Sequence, residues 1–85
     1  MAELAIYDAA KLKLYFAKGR TFTCTEDNHY KFWNIQTDGM KVTTTWGRIG
    51  SKMQSLTKSF SWDMAAKGFM RKKIDEKLAK GYSEI

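Results

Sequence analysis

Trp46 and Arg48 stand two residues apart across Gly47, at the end of a run of β-branched residues, Val42-Thr43-Thr44-Thr45. Residues two apart on a strand point to the same face. The indole and the guanidinium can therefore be presented together, a flat ring beside a cation. That pair suits the face of a sugar or base next to a phosphate. Lysines lie around it in sequence: Lys31 and Lys41 on the flanking strand-like runs, Lys52 just after the motif, and Lys58 beyond. Each is a candidate for a phosphate, and each taken singly also fits an ordinary solvated charge.

Other chemistry is excluded by composition and spacing. His29 and Cys24 are the single histidine and single cysteine, short of the roughly four ligands that a zinc site needs. Asp75 and Glu76 are neighbours on a helical pattern, so they diverge and cannot act as an acid/base couple. Gly47 and Gly50 are not followed by the Gly-Lys-Ser/Thr of a phosphate-cradling loop. No cofactor, metal, catalytic constellation or enzymatic activity is therefore expected.

Charge narrows the partner. The net charge is +6. Residues 1–40 balance, while residues 41–85 hold ten Lys/Arg against Asp63, Asp75, Glu76 and Glu84. A one-sided cation excess favours a polyanion, either nucleic acid or an acidic protein face. The run Arg71-Lys72-Lys73 does not make one face, because consecutive helical residues point about 100° apart. Lys72 with Glu76, and Glu76 with Lys80, have the i,i+4 spacing of ion pairs. Lys73 and Lys77 flank the apolar stripe, which their stems can cover.

The elements that must position these residues are mostly strands. Asp38-Gly39 predicts a two-residue type I′ hairpin turn, for which Asp-Gly supplies the positive φ values, joining strands over 30–37 and 40–46. In that register Ile35 faces Val42, Trp33 faces Thr44 and Lys31 faces Trp46, all on one side of the sheet. Runs 13–17 and 20–25 could pair across Lys18-Gly19, and 54–60 alternates as a further strand. Turn-forming clusters lie at residues 25–28 and 50–52. From Ser61, a good N-cap, the period changes. Trp62, Ala66, Phe69, Met70, Ile74 and Leu78 form a helical stripe. Gly68 suggests a close approach to the sheet, and Gly81 is a natural residue for ending the helix. Tyr30, Phe32, Trp33, Ile35, Trp62, Phe69 and Leu78 read as core and rim. The fold class is α+β: an antiparallel sheet with one C-terminal helix packed on it. Residues 3–10 fit either a short helix or a lead-in to the first strand.

Eighty-five residues make one domain, and aromatic side chains at 14% supply the bulk a small core needs. The lone cysteine excludes an internal disulfide. No apolar run approaches the roughly 20 residues of a membrane span, and Glu3, Asp8, Lys11 and Lys13 interrupt any leader-like stretch. A soluble cytoplasmic protein is the expectation.

Trp46-Gly47-Arg48 sits in a longer frame: Lys31-Phe32-Trp33-Asn34-Ile35 upstream, Gln54 and Phe60 downstream, then Glu76-Lys77-Leu78-Ala79-Lys80-Gly81-Tyr82. In this order and spacing, residues 20–85 resemble the WGR domain family, leaving 1–19 as an N-terminal extension. The family occurs in DNA-dependent poly(ADP-ribose) polymerases and in small stand-alone or fused bacterial proteins. The resemblance implies the same α+β fold and a non-enzymatic module that binds DNA, with RNA an alternative, preferring ends or nicks. It implies that Trp46 packs on the sugar of a terminal nucleotide. Arg48 would act on the DNA end or contact a neighbouring domain, and Gly47 would keep the backbone clear. Lys31 matches the lysine that opens the family's Lys-Phe-Tyr/Trp strand. Met53 departs from the glycine common before the Gln, which implies a stiffer or differently shaped loop between Lys52 and Gln54. A protein-interaction module docking an acidic partner or a neighbouring subunit is the alternative.

Overall fold

The computed structural model describes residues 9–25, 30–49 and 52–85. Residues 1–8, 26–29 and 50–51 lie outside the described residues, and with them His29 and most of the turns expected at 25–28 and 50–52. The chain forms α1 (Ala9–Tyr15), β1 (Arg20–Cys24), β2 (Lys31–Asp38), β3 (Lys41–Arg48), β4 (Gln54–Ser59), α2 (Asp63–Ala79) and β5 (Ser83–Glu84). The strands make one antiparallel sheet in the order β4-β3-β2-β1-β5. This is the α+β architecture that the sequence predicts.

The two faces of the sheet divide the core. On one, Phe22, Trp33, Ile35 and Val42 pack beneath Ala66 and Ile74 of α2, with Phe69, Met70 and Trp46 closing the margins. On the other, Leu12 and Phe16 cover Phe32. Asn34 is fully buried on that second face. Its amide donates to Thr21 Oγ1 at 2.9 Å and to the carbonyls of Lys18 and Arg20 at 3.3 and 3.2 Å, and its oxygen accepts from Gln36 at 3.2 Å. A buried amide left unpaired costs about 1–3 kcal/mol, so this network fixes the path from α1 into β1.

Three expectations are corrected here. Residues 13–17 are not a strand, since residues 13–15 end α1. The Lys-Leu-Lys-Leu alternation imitates a strand, but Leu14 is 80% exposed while Leu12 and Phe16, four apart, are buried. Burial at i and i+4 is the helical pattern. The β2–β3 register is shifted by two: Asp38 pairs with Lys41, Trp33 with Trp46 and Lys31 with Arg48. Asp38 remains in the strand opposite a cation, and the loop is Gly39-Met40 with positive φ at Gly39 alone. A first-position glycine is the type II′ pattern, not the type I′ turn expected from Asp-Gly. A shift of two leaves every side chain on its expected face.

Helix α2 begins one residue later than Ser61 would place it, with Trp62 extended at the cap and no side-chain cap bond. Trp62 and Leu78 are exposed, as is Tyr30, so the ladder read as core and rim is narrower than its sequence pattern. A Cβ at Gly68 would meet nothing within 4 Å, so no close approach to the sheet explains that glycine.

Candidate nucleic-acid interface

The β2–β3 register builds the site. Lys31 and Arg48 lie directly opposite each other at the open end of the ribbon, and Trp33 lies opposite Trp46 two residues further in, on the same face. Like charges directly opposite on a sheet destabilise it. The recess they open into, about 430 Å³, is lined by the cations Lys31, Arg48, Lys52 and Lys77, and among the described residues no carboxylate lines it to offset this pair. Trp46 and Tyr82 supply its aromatic walls. Trp46 is half-buried, held against the core yet facing the recess. Arg48 and Lys52 are exposed.

The end of α2 brings in the remaining wall. Gly81, at φ 94°, leaves the helix in the left-handed region. The Gly81 N–H donates to the Leu78 carbonyl and the Tyr82 N–H to the Lys77 carbonyl, each at 3.1 Å. This is the Schellman arrangement, and it folds Tyr82 back beside Lys77. The Lys77 ammonium lies 5.2 Å from the Tyr82 ring centre and 5.6 Å from that of Trp33. Burial, then the charges of Lys80, Lys73 and Lys31, push Lys77 below its ordinary pKa, opposed by Glu76. Burial, with Cys24 nearby, pushes the Tyr82 phenol above its ordinary value, which keeps it a protonated hydroxyl able to donate.

Gly47 lines the recess through its backbone, between Trp46 and Arg48. The Cβ it lacks would point to the opposite face, 3.1 Å from the Lys52 carbonyl and 3.3 Å from the Phe32 ring. Its small size therefore has an internal use: it seats the segment after the motif against β3 and Phe32.

Of the sequence candidates, Lys31, Trp46, Gly47, Arg48 and Lys52 converge on this recess. Lys58 lies in an adjoining groove that also borders Trp46, its ammonium 5.0 Å from the Phe69 ring centre. Lys41 is separate. It pairs with Asp38 beside the hairpin loop, five residues or about 17 Å along β3 from Trp46, and alternation turns it to the other face. The expected Lys72–Glu76 and Glu76–Lys80 pairs are replaced by Lys73–Glu76 at 3.5 Å. Sequence reasoning missed Lys77 and Tyr82 as site residues. The signal was there in Gly81: a helix-ending glycine returns the next residue to the last turn.

The matched family profile is that of the WGR domain, over residues 19–85. Protein YehF of Escherichia coli K12 is 38% identical over 65 residues, covering 76% of this chain and 24% of that protein. The crystal structure of a Bacteroides fragilis protein superposes with a TM-score of 0.74 at 35% identity, over 78% of this chain and 19% of the other. The chain thus spans about a quarter of the length of the curated relative and a fifth of the solved one. In poly(ADP-ribose) polymerases the family is a nucleic-acid-binding module. With an antiparallel sheet, one long C-terminal helix and the Trp46-Gly47-Arg48 strand end, the chain belongs to the WGR domain family.

Proposed function

We propose that this chain binds DNA at ends or nicks through sugar and phosphate, without catalysing a reaction. The observation that carries the reading is the recess itself: Lys31 set against Arg48, with Lys52 and Lys77 beside them, a half-buried indole, and no lining carboxylate among the described residues. A phosphate relieves the repulsion among those cations, and the Trp46 ring offers a flat face to the adjoining sugar. Neither contact reads a base edge, so sequence preference is slight. Residues 20–85 form the binding unit, and α1 supports β2 from behind through Phe32. RNA offers the same phosphates, and its 2′-hydroxyl is where the two would be told apart.

Titration with labelled duplex of one sequence, as an open blunt form, a nicked form and a closed circle, tests this. The open and nicked forms bind more tightly than the circle. Equal affinity for all three would reduce the site to a generic basic surface. No binding at low salt, with a discrete acidic protein recovered instead, would favour Arg48 as a docking contact for a protein partner.

A further inference from the structure

A second concavity continues from the recess along the seam between α2 and the β3–β4 half of the sheet. It measures about 450 Å³, and Trp46 and Lys77 line both spaces, so the two share a wall. Lys58 rises from the sheet side, and Lys73, Lys77 and Lys80 from the helix side. Glu76 is the one carboxylate lining it among the described residues, and it is held by Lys73 at 3.5 Å. The Lys58 and Lys73 ammonium groups converge on one ring, 5.0 and 5.5 Å from the centre of Phe69. An aromatic face offsets part of the cost of gathering two cations; Lys73 shares its charge with Glu76, while Lys58 has no carboxylate partner among the described residues. Below the lysines lie Phe69, half-buried, and Leu56, 61% exposed on an edge strand.

We propose that this groove carries the single-stranded overhang of a DNA end whose duplex border sits at Trp46. The inference rests on the end-binding reading of the recess and extends it. The groove has cationic rims and an apolar, aromatic floor, the pairing that suits a flexible strand with phosphates outward and base faces inward. From Lys73 to Lys80 the helix rises about 10 Å, so the groove takes a short stretch. An acidic peptide would meet the lysines but bring no flat faces to Phe69 and Trp46.

Hairpin duplexes with one stem, ending blunt or in overhangs of increasing length and of both polarities, provide the test. An overhang of one polarity binds about tenfold more tightly than the blunt end, with the gain complete within the first few nucleotides. It steepens the salt dependence by about 0.7 per added phosphate contact. The double variant Lys73→Gln, Lys80→Gln loses that gain and keeps blunt-end affinity within about twofold, with thermal melting confirming that it folds. Blunt-end binding with no gain from either overhang overturns the groove proposal and leaves the end-binding reading standing. Overhang binding without blunt-end binding sinks the recess reading and, with it, the duplex border at Trp46, leaving a groove for single strands alone, and binding to neither sinks both. A poly-glutamate peptide matching the overhang in affinity and lysine dependence overturns the choice of nucleic acid.

Discussion

Lys77 and Tyr82 are joined twice: the Tyr82 N–H donates to the Lys77 carbonyl at 3.1 Å, and the Lys77 ammonium returns to within 5.2 Å of the Tyr82 ring centre. The helix ending thereby becomes part of the binding wall. Gly81, between them, holds a φ of 94° that costs an L-residue about 1–2 kcal/mol. Gly81→Ala should lower stability by about that amount in urea unfolding. It should also weaken DNA binding under conditions where the variant is still fully folded, because Lys77 and Tyr82 lose their mutual placement.

Lys77→Met separates stability from binding. Burial and neighbouring lysines hold the Lys77 pKa below its ordinary 10.5, so the folded state disfavours the charged form. The destabilisation is full below the lowered pKa and is relieved as pH rises from there towards 10.5. Urea unfolding should find Lys77→Met at least as stable as the parent at neutral pH. The parent should gain on it as pH rises through that window, while DNA titration shows the variant the weaker binder.

Trp46→Ala should reduce the preference for ends over circles more than it reduces affinity for the circle. Loss of an aromatic contact of this kind is worth roughly 1–3 kcal/mol, with a sugar contact at the lower end. Paired titrations of open and closed duplex give the ratio directly.

Lys31→Ala and Lys52→Ala should each flatten the plot of log K against log salt by about 0.9, one phosphate apiece. Lys41→Ala should leave the slope unchanged, because Lys41 stands on the other face at the far end of β3. Equal effects at all three positions would mean that binding is spread over the whole surface.

At the opposite edge of the sheet, Arg20 grips Glu84 through two bonds, at 2.7 and 2.8 Å, tying β5 to β1. The Arg20 hydrogen bond holds the Glu84 carboxyl below its ordinary 4.5. Its stabilisation is complete above that value and is lost as pH falls through the lowered pKa. Both side chains are exposed, so Glu84→Gln should cost no more than about 1 kcal/mol at neutral pH. Urea unfolding at acidic pH or in high salt should show the difference vanishing.

What could be read from the residues follows the range of the forces involved. The sheet, the hairpin at Gly39, and α2 with its Gly81 ending depend on local period and turn chemistry. The placing of Lys31 with Trp46 and Arg48 needs only strand alternation and an approximate register. Helix α1 is hidden in the sequence because its lysine–leucine alternation satisfies the strand pattern. Only the docking of Leu12 and Phe16 on Phe32 selects the helix. Lys77 and Tyr82 are legible only in part: Gly81 returns Tyr82 to the last turn beside Lys77, but which recess the two then line depends on where α2 crosses the sheet, which no local pattern encodes. The two-residue displacement of β3 turned on whether Asp38 enters the loop or stays opposite Lys41.

That displacement has an arithmetic consequence for how the motif can change. Even slips trade one neighbour for another and keep inside and outside intact. A slip of a single position would send Trp46 and Arg48 to the α1 side and drive Thr45 towards α2. Parity, more than the identity of any turn residue, is what keeps the indole beside the lysines of the long helix.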